Sequence, residues 1–399
     1  MNQPACDPLT GDPSVEELPE ALAAALRVPL VDHHGHGVRR AGLDRAEFEQ
    51  AMSACPAPPG TTHFDSPTGA AIRRWCAPVL GLDPHAAPAA YLARRSELGA
   101  QESNRLLLRA AGVSAYFVDS GDNRTGRLNA AEMARLAGAG GHEIVRLERL
   151  AAGVAAREPS ASAYGEELLE ELELRTRRAV ALKSVIACRE GLAVDPMPPE
   201  PGEVTAAASR WIREGGQDRL ADPVLLRHGL WAGLEIARER KIPVQFQVGV
   251  GDVDAASDGS DLHRNDPLSL APFLREVQAY GVPVVLVNTH PFIRQAACLA
   301  ATFPHVYLDI GSGLALSAAG SAQMIAEALA TVPFHKVLFG SGCRGLAEQA
   351  LLATVYHRRG LGRVLARRVA DGEWTATDAA HVARQVGSDN ARRVYRLAG

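Results

Sequence analysis

The stretch VPLVDHHGHGV, from Val28 to Val38, is an apolar run that leads into one aspartate and three histidines. A short apolar run of this kind is typical of a parallel strand that is buried on both faces. Because side chains two residues apart share a face of a strand, we expect His34 and His36 to project together with Asp32. His33 is expected on the opposite face as a structural histidine. Two imidazoles on one face predict a metal site at the end of this strand.

Seven more runs of the same type follow, and helical patterns lie between them. They begin at Ser114, Glu143, Ala179, Pro243, Pro283, Val306 and Lys336. Eight short buried strands that alternate with helices predict an α/β fold, the (β/α)8 or TIM barrel.

Two long connections, after strand 1 and after strand 4, leave the C-terminal strand ends, where barrel active sites are built. We expect a single domain: an N-terminal segment over 1–27, a barrel over 28–345 and C-terminal helices over 346–399 that pack on the barrel. A helical cap insertion is expected at about 39–112. The first C-terminal helix is expected to break at Gly360, because glycine disfavours a helix interior.

The composition excludes several classes of protein. A net charge of −4 without any basic cluster argues against a nucleic-acid partner and favours a small molecule. No apolar run is long enough to span a membrane, and the acidic, proline-containing start does not match a signal peptide, so we expect a cytoplasmic protein. Six cysteines without a C-x-x-C pair indicate reduced thiols. A homodimer is possible but not required, since the sequence shows no exposed apolar helix stripe that would need a partner.

Several segments together resemble the metal-dependent amidohydrolase superfamily. They include VDHHGHGV, RRWCAPVLGL, LKSVIACREGL, PVQFQVGVGD, FPHVYLDIGSGLALS, KVLFGS and NARRVYRL. Nearly the whole chain is similar to the branch that looks like the amidohydrolase half of proteins fused to, or encoded beside, glutamine-synthetase-like enzymes. The resemblance implies a divalent metal ion, zinc by preference, that activates water to cleave a C–N bond. It also implies a small carboxylated substrate, such as a γ-glutamyl amide or an N-acyl amino acid, and a pathway partner that resembles glutamine synthetase.

The chain departs from the ligand pattern that this resemblance implies. His34 and His36 match strand 1, but Gln247 and Asn288 stand where histidines are expected on strands 5 and 6, and Gly342 replaces the strand-8 aspartate. Gln247 offers a weak neutral oxygen donor, which we take as the third metal ligand. Gly342 cannot supply the proton shuttle that an aspartate provides.

Three side chains are candidates for the missing acid–base chemistry. Lys183 on strand 4 is a carbamylated bridging ligand, a charge that orients the substrate, or a structural cation. His290 shares a face with Asn288 if strand 6 continues, although Pro291 follows it. Glu148 shares a face with Arg146 if strand 3 runs through both residues.

Further polar side chains follow the strand ends and suit a carboxylate substrate, because arginine binds carboxylates through two parallel hydrogen bonds. The candidates are Arg146, Arg189, Asp252, His263 and Arg344. For each of them, the alternative is an ion pair that ties a loop to the barrel.

Two other functions remain open at this point. The barrel could house a metal-free lyase, decarboxylase or condensing enzyme of a specialised pathway, or it could be a pseudoenzyme that only binds a ligand or a partner enzyme. Gln247, Asn288 and Gly342 favour both alternatives over the metal-dependent hydrolase.

Overall fold

The structure is a computed structural model, which describes residues 9, 18–53, 57–119, 121, 126–157, 159–214, 220–250 and 262–397.

All eight predicted strands are present, and they follow one another in a single sheet in the order β1 to β8. Their bounds are β1 (Leu30–Gly35), β2 (Val113–Asp119), β3 (Gly140–Arg146), β4 (Ala181–Ser184), β5 (Val244–Gln247), β6 (Val284–Val287), β7 (Val306–Asp309) and β8 (Val337–Leu338). The printed strand pairs are parallel, and His33 N donates to Phe339 O, which joins β1 to the end of β8. The predicted (β/α)8 barrel is confirmed.

Helices lie before, between and after the strands. Their bounds are α1 (Glu20–Arg27), α2 (Arg45–Met52), α3 (Pro67–Ala71), α4 (Ala77–Val79), α5 (Pro88–Ala110), α6 (Ala130–Ala137), α7 (Leu147–Ala155), α8 (Tyr164–Arg175), α9 (Pro201–Arg213), α10 (Pro223–Arg240), α11 (Ala271–Val277), α12 (Ile293–Thr302), α13 (Leu314–Ser317), α14 (Ser321–Leu329), α15 (Ala347–Ala370), α16 (Ala376–Arg384) and α17 (Asn390–Val394). None of these described helices is long and apolar enough to cross a membrane.

The chain divides into two compact units. The first unit comprises Met1–Val118, Asn123–His142 and Asp309–Arg392, and the second comprises Asp119–Asp122, Glu143–Leu308 and Arg393–Gly399. That the barrel forms one domain stays a prediction.

In the first unit, helix ends follow local capping chemistry. Asp44 and Glu47 form a capping box at the start of α2, and Asn129 and Glu132 form another at the start of α6. Such boxes satisfy backbone N–H groups that have no partner inside the helix. Gly138 ends α6 in the left-handed conformation that glycine adopts without strain.

The predicted break at Gly360 is wrong, because α15 continues through it to Ala370. A Cβ atom at Gly360 would lie 2.8 Å from Ile325 Cδ1 and 2.9 Å from Ser321 Oγ. The glycine therefore allows α14 and α15 to pack closely, and this packing outweighs the low helix propensity of glycine.

The C-terminal helices are tied to the end of the sheet. The buried Asn390 side chain donates from Nδ2 to Val337 O at 2.8 Å and to Phe334 O at 2.7 Å. These bonds fix α17 against β8 inside the first unit.

In the second unit, the core forms where helices cover β5. The ring centroids of Phe246 and Phe273 lie 5.7 Å apart, and those of Trp231 and Phe273 lie 5.9 Å apart. The tilted and edge-to-face rings join β5, α10 and α11, which holds β5 in place.

Candidate functional site

In the first unit, two neighbouring histidines of β1 face one carboxylate of β7. His33 Nε2 lies 3.6 Å from Asp309 Oδ1, and His34 Nδ1 lies 3.5 Å from Asp309 Oδ2. The expectation that His33 points away from His34 is wrong. The pairing of β1 with β2 shifts register between Asp32 and Gly35, which breaks the strict alternation of side chains.

Asp309 is held as an anion. Its Oδ1 atom accepts bonds from Gly311 N at 2.7 Å and Gly340 N at 3.1 Å. Burial alone would raise the pKa of Asp309, but the interactions with His33 and His34 outweigh burial and lower the pKa below its usual range. An ionised Asp309 fixes the orientation of both rings.

His36 lies just beyond β1, where its backbone N donates to Cys343 O at 2.8 Å. The rings of His34 and His36 meet edge to face, with centroids 5.4 Å apart. The carboxylate of Asp32 accepts instead from Ser341, at 2.7 Å from its N and 2.6 Å from its Oγ. Burial raises the pKa of Asp32 to about 6.

The donor atoms do not fit a tightly held metal ion. Among the residues that the structure describes, no group of three or more His, Cys, Asp or Glu side chains is arranged to hold one. Catalytic zinc takes three such protein ligands, whereas the set predicted from the sequence, His34, His36 and Gln247, offers two imidazoles and one weakly coordinating amide. Gly342 offers a backbone N–H, which donates to His34 O at 2.8 Å.

In the second unit, two buried cations converge on one carboxylate. Arg146 donates to Asp119 Oδ2 from Nε at 3.1 Å and from Nη2 at 2.7 Å, and Lys183 Nζ lies 3.1 Å from the same oxygen. Lys183 and Asp119 have side chains that are 0 % exposed, and Arg146 is 7 % exposed. We call Asp119, Arg146 and Lys183 the cation cluster.

The three residues of the cation cluster lie at or near the ends of β2, β3 and β4. Arg146 and Lys183 are direct neighbours in the pairing of β3 with β4, and Asp119 ends β2. Gly121 N donates to Asp119 Oδ1 at 3.0 Å, and a Cβ there would lie 2.8 Å from Arg146 Cβ. In this arrangement Lys183 pairs with a buried carboxylate. Asp119 is not among the residues predicted from the sequence, although it ends an apolar run as Asp309 does.

Glu148 lies beside the end of β4. Its Oε1 accepts from Ser184 Oγ at 2.7 Å and from Val185 N at 2.9 Å, while Oε2 is buried and has no hydrogen-bond partner within the described ranges. Burial raises the pKa of Glu148. The expected strand face shared with Arg146 is wrong, because β3 ends at Arg146 and α7 begins at Leu147.

Gln247 ends β5 and contacts a thiol that the sequence analysis did not single out. Its Nε2 donates to Cys188 Sγ at 3.3 Å, and its buried Oε1 has no partner in the part of the chain that the structure describes. This hydrogen bond brings Cys188, on the 3₁₀ helix Ile186–Cys188 after β4, beside the end of β5.

His290 does not extend the face of β6. The strand ends at Val287, and Asn288 turns the chain with a φ of 58°. The condition for His290 and Asn288 to share a strand face is therefore not met. Burial lowers the pKa of the half-buried His290, so that its imidazole is neutral at neutral pH.

Three other predicted substrate-binding residues lie in loops or on a short helix. Arg189 is half-buried after the 3₁₀ helix Ile186–Cys188, and His263 is exposed on another, Leu262–Asn265. Arg344 is half-buried, and its N donates to Gln349 Oε1 at 2.8 Å. Asp252 lies outside the described residues.

Comparisons with known proteins bear on this barrel. A model of the family described as Amidohydrolase matches residues 146–397. The protein fluG of Emericella nidulans is 27 % identical over 228 residues, which are 55 % of this chain and 26 % of fluG. The chain thus spans about a quarter of the length of this curated relative.

Solved structures are similar in fold. A suspected metal-dependent hydrolase from Lactobacillus casei superposes with a TM-score of 0.80 at 20 % identity, covering 95 % of this chain and 98 % of that one. A uronate isomerase from Thermotoga maritima gives a TM-score of 0.63 at 13 % identity, covering 94 % and 97 %. At these identities the similarity shows the fold alone.

Proposed function

This chain belongs to the amidohydrolase family, and from that premise we propose that it is a hydrolase that cleaves the C–N bond of a small carboxylated molecule. The substrate class is a γ-glutamyl amide or a similar N-acyl amino acid. The family supplies a hydrolase-like barrel, and the second unit supplies side chains that suit such a substrate.

The cation cluster is the observation that carries the proposal. Arg146 and Lys183 both lie against the carboxylate of Asp119, and a substrate carboxylate would offer the guanidinium of Arg146 a further acceptor. Arg146 has the most exposed side chain of the three, and a guanidinium binds a carboxylate through paired, charge-assisted bonds. Arg146 therefore contacts the substrate, and Lys183 and Asp119 position it.

Glu148 and His290 divide the proton transfers. A water molecule adds to the carbonyl carbon while the neutral imidazole of His290 accepts its proton. The C–N bond then breaks, and the leaving nitrogen takes a proton from Glu148, the pKa of which is raised by burial. The products are a carboxylic acid and an amine.

No step of this proposal passes through a metal ion, because the donor set of His34, His36 and Gln247 does not fit one. The same donor set favours a second candidate, a metal-free lyase or decarboxylase that uses the cation cluster to bind its substrate. The two candidates differ in the use of water, since only a hydrolase transfers a solvent oxygen to its product.

The test is turnover of γ-glutamyl amides and N-acyl amino acids in water labelled with oxygen-18, followed by mass spectrometry. We expect one labelled oxygen in the released acid, and loss of turnover in Arg146→Gln. An exposed arginine variant, Arg238→Gln, serves as the control. Release of CO₂ or of an unsaturated product without label would replace the hydrolase by the lyase, and absence of turnover across both classes would refute the enzyme proposal.

A further inference from the structure

A pocket of about 420 Å³ lies in the first unit, between α5, α6 and the segment that follows β1. Its volume falls in the range that small-molecule sites occupy in proteins. The charged part of its lining comprises Arg40, Arg105, Arg135 and Glu132, and the apolar part comprises Leu128 and Leu136.

Positive charge dominates this lining. Arg40 donates to both oxygens of Glu132, at 2.6 and 2.8 Å, and Arg105 pairs in the same way with Glu102, at 2.7 and 2.5 Å. Arg135 is exposed on α6 and, after Arg40, adds to the attraction that lowers the pKa of Glu132. Three guanidinium groups thus line the pocket, and two of them, Arg40 and Arg105, are paired with a carboxylate.

The walls of the pocket are built and fixed. Leu128 N donates to Val38 O at 2.8 Å, and Arg40 N donates to Gly126 O at 2.9 Å. The buried Asn104 side chain, which also lines the pocket, donates from Nδ2 to Arg39 O at 2.9 Å. Because these hydrogen bonds already order the walls, binding of a ligand costs little conformational entropy.

We propose that this pocket binds a small organic dianion. Guanidinium groups recognise phosphate and carboxylate oxygens through paired, charge-assisted hydrogen bonds. The charged end of the ligand contacts Arg135 and Arg105, and its hydrocarbon part covers Leu128 and Leu136. A phosphate monoester and a dicarboxylate share this chemistry, and the experiment separates them.

The site does not depend on the proposed hydrolase activity, because none of its residues belongs to the cation cluster. Arg40 nevertheless follows His36 by four residues, so the pocket wall is continuous with the end of β1.

The test uses isothermal titration calorimetry on the full chain with phenyl phosphate and with glutarate. We expect saturable binding of at least one probe. Arg135→Gln, which removes paired bonds to the anion, should weaken binding about tenfold or more. Gln101→Trp, which fills the pocket from α5, should abolish it.

Two controls separate this site from other cationic surfaces. Arg213→Gln removes an exposed arginine of α9 that donates to Ser209 O, and Arg146→Gln removes the contact proposed for the substrate. Arg213→Gln should bind the probe as the wild type does, and Arg146→Gln should retain the binding event that Arg135→Gln weakens, because the two sites share no residue. Failure of both probes to bind saturably, or equal affinity in the wild type and in folded Arg135→Gln and Gln101→Trp, would overturn the proposal. Binding lost in Arg146→Gln alone would assign the anion to the cation cluster and would overturn it too.

Discussion

Lys183 Nζ lies 3.1 Å from Asp119 Oδ2, and both side chains are fully buried. Arg146 reaches the same oxygen from the neighbouring strand. One carboxylate therefore neutralises charge from two strands at once, where polar strand ends of a barrel are expected to do chemistry.

Asp119→Asn should destabilise the protein strongly. The substitution leaves Arg146 and Lys183 buried without this carboxylate, and breaking a buried pair from one side costs about 3–5 kcal/mol. Urea unfolding measures the change. The double variant Asp119→Asn with Lys183→Met removes one of the stranded cations and should recover part of the loss. Equal stability of wild type and Asp119→Asn would contradict the ion-pair account.

Glu148→Gln should change how stability depends on pH. Burial raises the pKa of Glu148 in the folded state, so the stability that it contributes is complete below the unfolded pKa and is lost as pH rises through the folded pKa. Glutamine does not ionise. We therefore expect the free energy of unfolding of Glu148→Gln to rise relative to that of the wild type as pH rises from about 4 towards neutrality. Parallel pH profiles of the two proteins would argue against the raised pKa.

The metal content of the purified protein tests whether the side chains at the strand ends hold an ion. We expect the wild type to hold well below one ion per chain after dialysis against a chelator, as measured by inductively coupled plasma mass spectrometry. The matched variant restores the missing donors through Gln247→His, Asn288→His and Gly342→Asp, and it should retain about one ion. A full equivalent of tightly held metal in the wild type would contradict our account of the donor set.

Gly360 tests the helix packing. Gly360→Val should destabilise by about 1–3 kcal/mol, because added side-chain atoms overpack the contact with Ile325 and Ser321. Gly153→Ala on α7 is the control, since nothing lies within 4 Å of its Cβ position. That control should stabilise by about 0.5–1 kcal/mol. Thermal unfolding compares them, and a neutral Gly360→Val would show that the helices have room to separate.

The sequence predicts the eight strands correctly because each run is apolar along its whole length, which reports burial on both faces. It does not predict the face of His33, since the register shift in β1 depends on pairing with β2. It also misses the break between Arg146 and Glu148, because α7 begins directly after β3. Local pattern indicates an element, whereas neighbouring elements decide where it bends or ends.

The sequence predicts charged side chains at the strand ends, but it does not predict their partners. Arg146 and Lys183 are recognisable as cations at strand ends, yet their shared partner Asp119 emerges only when β2, β3 and β4 lie side by side. Likewise, the contact between Gln247 and Cys188 joins residues on either side of a long connection. Spacing in the sequence carries no record of such pairs.

The central claim is that Arg146 binds a substrate carboxylate, and paired kinetics test it most directly. The measurement compares kcat/KM of the wild type and Arg146→Gln on a carboxylated amide and on its neutral carboxamide analogue. We predict a loss of tenfold or more on the carboxylate, as expected for a broken charge-assisted pair, and little change on the neutral analogue. An equal loss on both substrates, or none on the carboxylate, would contradict the account.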